Sequence, residues 1–294
     1  MERLRIGYVG VGLMGLPMVT RLASLGYRVT AYDVVAQRVD AARGAGAHPA
    51  SSPQGATGDT DLVLLNLPTT DAVEQAVFGQ DGVAAALRPP QLVIDFSTVD
   101  VARGKAFATR LRAATGCGWI DAPVSGGPPA AGSGTLTVMA GGDAADIARI
   151  GPLMVDVAAR FTHVGPAGSG LVAKMINQLI VGCTHAVLAE ALVFAEAAGI
   201  DAARLPDCLA GGHADGTLLQ KLFPRMLARD FAPQGYARQL LKDLEMVNAL
   251  AGALKTPVPM TGESLSLYRM LIRRGHAELD TGAIVKLYDR DASP

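Results

Sequence analysis

Arg5-Ile6-Gly7-Tyr8-Val9-Gly10-Val11-Gly12-Leu13-Met14-Gly15 starts as a strand-like apolar run, passes three glycines in GxGxxG spacing, and leads into a helical pattern that continues through Leu25. A strand, turn and helix that receive a pyrophosphate give each glycine its own task. Gly10 permits the tight turn, Gly12 lets the backbone approach the phosphates, and Gly15 lets the helix pack close to the strand. Leu13 and Met14 complete the loop, and the phosphates lie at the positive end of the helix. With 34 glycines in the chain, one such match is weak on its own. The next strand decides. Arg28-Val29-Thr30-Ala31-Tyr32 ends in Asp33, about 20 residues past the glycines, where a carboxylate accepts hydrogen bonds from the adenosine ribose hydroxyls. An acid here also repels the 2′-phosphate of NADP. The predicted cofactor is therefore NAD, with NADP as the alternative because Arg38 is near enough in sequence to meet a phosphate. The competing reading of Asp33 is an ordinary solvated strand end.

Further strand-like runs at 62–67, 92–96 and 119–122 alternate with helical intervals, which predicts a parallel sheet covered by helices. Ligands in such sheets gather at the carboxyl ends of the strands. Two tails, Asn66-Leu67-Pro68 and Asp95-Phe96-Ser97-Thr98, are thus expected to border the cofactor through Leu67, Pro68 and Thr98. Thr98 also reads as the N-cap of the following helix. The third tail, Asp121-Ala122-Pro123-Val124-Ser125-Gly126-Gly127, sets a hydroxyl before two glycines. Backbone N–H groups without side-chain cover suit an anion such as a carboxylate, although a plain glycine-rich turn has the same composition. Strands at 135–140 and 160–164 flank a helix at 143–157, and the first domain is expected to span residues 1–165.

The stretch 168–198 reads as one long helix with Lys174, Asn177 and Gln178 near its start. Spacings of three and four bring these side chains close together on one face. A lysine and two amides on an apolar helix need partners or solvent; a helix end facing water is the plain alternative. From there the pattern is helical only, at 203–209, 216–228, 236–254, 262–274 and 281–288, within a second domain at 166–294. Lys242 and Asp243 stand side by side in an apolar setting, where an exposed pair on a solvated face is the ordinary expectation. The predicted fold class is an α/β Rossmann-type N-terminal domain with a mostly parallel sheet, then an all-α C-terminal domain joined by a long interdomain helix.

A formal net charge of −1 with 18% charged residues offers no basic surface for nucleic acid or membrane. The charged start, Met1-Glu2-Arg3, runs straight into a strand, so no cleaved leader is expected. His185 interrupts the longest apolar run of the central helix, 179–189, which as read is too short to span a bilayer. Cys117, Cys183 and Cys208 form no CxxC pair, which predicts reduced thiols and a cytoplasmic location. The five histidines are dispersed, and no metal site is expected.

Taken in order, the chain resembles the β-hydroxyacid dehydrogenases, the family of 3-hydroxyisobutyrate dehydrogenase and tartronate semialdehyde reductase (2-hydroxy-3-oxopropionate reductase). Four motifs carry the resemblance over nearly the whole length: Gly10 to Met18, Asp121 to Gly127, Gly168 to Gln178, and Lys242-Asp243. The resemblance implies that Lys174 is the catalytic lysine with Asn177 its polar partner. It also implies that Ser125, Gly126 and Gly127 hold the substrate carboxylate, with Gln178 and Asp243 nearby, and that Thr98 and Lys242 approach the nicotinamide. Gln178 stands where 3-hydroxyisobutyrate dehydrogenases often carry a second asparagine, and the Asn-Gln pair looks more like tartronate semialdehyde reductases. Ala130 replaces a glycine common in relatives.

These positions predict reversible hydride transfer between a nicotinamide and a short hydroxy acid or its semialdehyde. Hydride loss from an alcohol carbon requires the hydroxyl proton to leave as well, so a positioned acceptor is needed, and Lys174 is the candidate. Burial beside a positive ring disfavours the charged form of a lysine. Two other readings compete: a dinucleotide-binding scaffold or sensor without chemistry, and an imine reductase, whose members usually carry another residue in place of the lysine. Family members pair through the long helix, so a homodimer or homotetramer is expected.

Overall fold

The computed structural model describes residues 3–289, and the chain divides into two compact units between Lys174 and Met175. The outer ends of the two expected domains, residues 1–2 and 290–294, lie outside the described residues. Among the described residues the first unit contains nine strands: β1 (Arg5–Val9), β2 (Arg28–Tyr32), β3 (His48–Pro49), β4 (Leu62–Leu65), β5 (Leu92–Asp95), β6 (Gly118–Asp121), β7 (Val124–Ser125), β8 (Leu136–Gly141) and β9 (Ala158–Gly165). They form one sheet in the order β3-β2-β1-β4-β5-β6-β8-β7, with β9 also paired to β8. The run β3-β2-β1-β4-β5-β6 is parallel throughout. Its strand order is that of the doubly wound dinucleotide fold, with the reversal of direction falling beside β1.

Register explains why the sequence tails converge. Tyr32, Val9, Leu65, Asp95 and Asp121 are successive Cα partners across β2, β1, β4, β5 and β6. The residues that follow them, Asp33, Gly10, Asn66, Phe96 and Ala122, therefore leave the sheet along a single edge. Strands β4, β5 and β6 are buried at every position, as their continuous apolar runs require of a sheet covered on both faces. Ile6, Tyr8, Met18, Leu22, Leu64 and Ile94 are among the fully buried side chains of this core, each removing enough apolar surface from water to contribute about 2 kcal/mol.

The sheet is not parallel to its end. Both β6 and β7 pair antiparallel with β8. The Ser125 segment is thus a short strand, and Gly127–Ser133 is a helix with proline in its first turn, where the plain glycine-rich turn was the alternative to an anion-binding loop. Pro128 and Pro129 explain the difference, since proline suits a first helical turn, where its missing N–H costs nothing.

In the second unit, buried Ala189, Leu192, Phe223, Leu240, Leu244, Tyr268, Leu271 and Ile284 form a separate core. Its helices include Leu205–Leu209, Thr217–Lys221, Phe223–Leu227, Ala237–Ala253 and Pro259–Arg273, with a 3₁₀ segment at Thr281–Tyr288. The single helix expected at 216–228 is two, because Pro224 lies in the first turn of the second and cannot extend the first. The expected helix at 281–288 is the 3₁₀ segment. Among the described residues the all-helical expectation is otherwise met, apart from an isolated bridge between Tyr236 and Asp280.

One helix, Ser169–Ala197, continues through the division of the chain. It is long and apolar enough by length and composition to cross a membrane, which corrects the shorter apolar run read from the sequence. His185 does not interrupt it. The ring is buried at 4% exposure and bonded to the Tyr268 hydroxyl at 3.1 Å. With Lys174, Asn177, Gln178 and His185 along it and Ala189 and Leu192 in the core, it is a core helix.

Candidate active site

The glycine loop leaves β1 at Gly10, whose φ of +100° and whose closeness to the Asn66 carbonyl admit no side chain. At Gly15 a Cβ would collide with the Gly10 carbonyl, whereas at Gly12 the nearest atom to an added Cβ is in the Arg38 guanidinium at 3.9 Å. Two of the three glycines thus serve close packing, and the third leaves bare backbone beside open space. Leu13 and Met14 lie between, with Met14 directly before the helix Gly15–Ser24.

Asp33 is 8% exposed, so the solvated strand end is not what the structure shows. Its Oδ2 accepts from Val11 N at 2.8 Å and its Oδ1 from Val35 N at 2.9 Å. The carboxylate therefore anchors the glycine loop as well as standing at the end of β2. Arg38 lies 3.5 Å from Oδ1. A bare-backbone loop tied to a carboxylate is what the adenosine and pyrophosphate of a dinucleotide require, and these residues fit that group.

The next two tails are tied to each other. Leu67 N donates to Ser97 Oγ at 2.9 Å, and Ser97 N donates to Asp95 Oδ1 at 2.9 Å. Leu67, Pro68 and Thr98 thereby share the edge that carries the glycine loop. Thr98 does not cap the helix that follows. Val101–Thr115 is capped by Asp100, whose side chain accepts from Arg103 N; the helix begins two residues later than a Thr98 cap would have placed it.

At the third tail the Asp121 carboxylate is 2% exposed. It accepts from Gly168 N at 2.6 Å and Leu171 N at 2.9 Å, at the start of the long helix. Burial pushes this carboxyl up to about 6, against the opposing pull of those backbone N–H groups. Lys174, 7% exposed, donates from Nζ to the Val124 carbonyl at 2.8 Å. The amine is thus held at the residue before Ser125, Gly126 and Gly127. Gly126 has φ +128° and Gly127 φ +70°, a backbone path that side-chain-bearing residues rarely take. Asp121 was not singled out by sequence reasoning; its partners lie 47 and 50 residues away, and only its place in the third motif hinted at it.

On the same helix beyond Lys174, Asn177 Nδ2 donates to Gln178 Oε1 at 2.8 Å, and Gln178 Nε2 donates to Asp243 Oδ2 at 2.5 Å. Gln178 and Asp243 are 8% and 6% exposed, so neither the water-facing helix end nor the solvated charge pair is observed. Lys242 Nζ lies 3.2 Å from Asp243 Oδ1.

Comparisons with known proteins bear on the chain as a whole. Residues 5–165 match the family described as the NAD binding domain of 6-phosphogluconate dehydrogenase, and residues 168–288 the family described as NAD-binding of NADP-dependent 3-hydroxyisobutyrate dehydrogenase. The chain is 34% identical to the NAD-dependent L-serine dehydrogenase of Pseudomonas aeruginosa, over 97% of this chain and 98% of that protein. It is 33% identical to the 2-hydroxy-3-oxopropionate reductase of Escherichia coli, over 96% of each. The crystal structure of 3-hydroxyisobutyrate dehydrogenase from Salmonella typhimurium superposes with a TM-score of 0.88 at 28% identity, covering 97% of this chain and 99% of that one. Fold, glycine loop and relatives together define an NAD(P)-dependent dehydrogenase acting on CH–OH groups. The chain belongs to the β-hydroxyacid dehydrogenase family.

Proposed function

We propose that this enzyme interconverts a short 3-hydroxy carboxylate and its semialdehyde, with Lys174 as the general acid/base. The observation that carries the reading is the 2.8 Å bond from Lys174 Nζ to the Val124 carbonyl, which fixes a buried amine next to the Ser125-Gly126-Gly127 loop. L-serine, 2-hydroxy-3-oxopropionate and 3-hydroxyisobutyrate, in the relatives' names, share a carboxylate and, one carbon removed, a terminal alcohol or aldehyde. A carboxylate held by Ser125 and the Gly126 and Gly127 amides puts the reacting carbon within the span of one small molecule from Lys174.

A bound nicotinamide would supply the hydride acceptor in oxidation and the donor in reduction. Lys174 as the free amine takes the proton from the substrate hydroxyl, and as the ammonium returns it to the carbonyl oxygen. Asn177, one turn further along the helix, orients that oxygen or the amine. Holding the reactants in register supplies much of the rate. Gln178 and Asp243 support the substrate side, and Leu67, Pro68, Thr98 and Lys242 the cofactor side. Residues 1–165 form the dinucleotide-binding domain and 166–294 the substrate and pairing domain.

Asp33 favours NAD over NADP. The Asn177-Gln178 pair favours a tartronate semialdehyde type of substrate. Lys174 argues against both the imine reductase and the non-catalytic scaffold. Three free cysteines suit a cytoplasmic enzyme. A homodimer or homotetramer is supported by Ile176, Ile180, Val187 and Phe194 on the long helix, each more than half exposed and spaced to form one apolar stripe. Light scattering tests that assembly, and a lone 30.3 kDa species would oppose it. A screen of NAD and NADP against L-serine, 3-hydroxyisobutyrate and L-threonate, with the reduced cofactors against tartronate semialdehyde, tests the activity. Turnover of none of them, with NADH still bound, would return weight to the scaffold reading.

A further inference from the structure

Asp243 ends a chain of three side chains. Its Oδ2 accepts from Gln178 Nε2 at 2.5 Å, and Gln178 Oε1 accepts from Asn177 Nδ2 at 2.8 Å. The Lys242 ammonium, 3.2 Å from Asp243 Oδ1, supplies the counter-charge that suits an ionised carboxylate. A carboxylate in that form can only accept hydrogen bonds, whereas each amide has one end that donates and one that accepts. Asp243 therefore fixes the sense of every bond behind it. Gln178 must turn its NH₂ toward Asp243, which leaves its carbonyl for Asn177. Asn177 must commit an N–H to Gln178, which leaves its own carbonyl oxygen to be offered elsewhere.

We propose that Asp243 is a positioning residue that sets the polarity of an Asp243–Gln178–Asn177 relay, so that Asn177 presents a hydrogen-bond acceptor to the reacting hydroxyl or to the Lys174 amine. An acceptor is the complement that chemistry needs, because both a substrate alcohol and a lysine ammonium are donors. Burial enforces the order: Gln178 and Asp243 are almost withdrawn from solvent, and a flipped amide would set two acceptors against each other there with little water to relieve them. The inference rests on Lys174 and Asn177 being the reacting pair. It gives Asp243 a role exerted through the amides rather than by contact with substrate.

A reciprocal exchange tests it. In Asn177→Asp the new carboxylate meets Gln178 Oε1, and Asp243 forbids the flip that would relieve the clash; kcat should fall about 100-fold. Asp243→Asn alone leaves the relay free to run either way and should cost about tenfold in kcat with a smaller change in KM. When both substitutions are combined, Gln178 can flip, donating to the carboxylate now at position 177 and accepting from the amide now at position 243. An acceptor again stands at position 177. The double variant should recover at least about tenfold over Asn177→Asp. The same non-additivity should appear in the Tm of the four proteins, measured without substrate. Multiplicative losses in kcat and additive losses in Tm would overturn the relay. Coupled Tm values in proteins that turn over none of L-serine, 3-hydroxyisobutyrate or tartronate semialdehyde would keep the relay and reject the proposed reaction instead.

Discussion

The Asp121 carboxylate accepts the backbone N–H of Leu171 at 2.9 Å, so the acid that ends β6 also starts the helix carrying Lys174. Its other oxygen holds Gly168 N at 2.6 Å. An added Cβ at Gly141 would stand 2.8 Å from both carboxylate oxygens, and one at Gly170 2.9 Å from Oδ2. The helix start is thus packed onto the acid without room for side chains. The same acid is close in sequence to both ends of the lysine contact: the Val124 carbonyl that receives Lys174 follows Asp121 by three residues, and Lys174 follows Leu171 by three.

Asp121→Ala should therefore lower both stability and turnover. Removing a buried acceptor of two backbone N–H groups costs about 2–3 kcal/mol, and the amine loses its fixed distance from the Ser125 loop. Urea unfolding and steady-state kinetics check the two parts. A variant with unchanged turnover would show that the cap does not hold the lysine.

On the proposed reading, Asp33 governs the choice of cofactor. Asp33→Ala removes the acceptor for the ribose hydroxyls and the repulsion of a 2′-phosphate, and leaves Arg38 without its partner 3.5 Å away. The ratio of kcat/KM for NAD over NADP should fall by about tenfold or more, equivalent to roughly 1.4 kcal/mol. An unchanged ratio would remove Asp33 from cofactor selection. Because Asp33 also holds Val11 N, affinity for both cofactors should weaken.

His185 should make stability depend on pH. Burial pushes its imidazole from an ordinary value of 6.5 down to about 4. The Tyr268 hydroxyl, which donates to Thr281 O at 2.8 Å, leaves its oxygen to receive Nδ1–H of a neutral ring. A depressed folded value means that the stability contributed by neutral His185 is present above 6.5 and lost as pH falls through 4. That loss is on the order of 3 kcal/mol. Asp121 acts in the opposite sense: its folded value is raised to about 6, so its contribution is present below the ordinary 3.8 and lost as pH rises through 6. Comparison with His185→Gln separates the two. The variant should lose less stability than the parent between pH 7 and pH 4 in urea titrations; equal losses would acquit His185.

The parts of this enzyme that are local in sequence were legible, and those that depend on distant partners were not. Gly10, Gly12, Gly15 and Asp33 announce themselves through spacing, because a turn, a helix start and the next strand lie within one short unit. Lys174, Asn177 and Gln178 could be grouped from helical periodicity. Their partners could not: Val124 lies 50 residues from Lys174, and Asp243 lies 65 from Gln178. Reading Lys242-Asp243 as a solvated pair follows from charge alone; the burial of the acid and its bond to Gln178 do not. Thr98 shows the same limit at short range, since Thr98 and Asp100 are both good caps and the start of the helix decided for Asp100.

The central claim is that Lys174 moves the substrate proton, and the most direct measurement is turnover and NADH binding of Lys174→Ala beside the parent. Reduced-nicotinamide absorbance reports turnover with the best substrate of the screen, and fluorescence titration reports binding. The account expects turnover to fall at least about 100-fold while NADH affinity stays within about threefold, since the glycine loop and Asp33 are untouched. Near-normal turnover in the variant would contradict it.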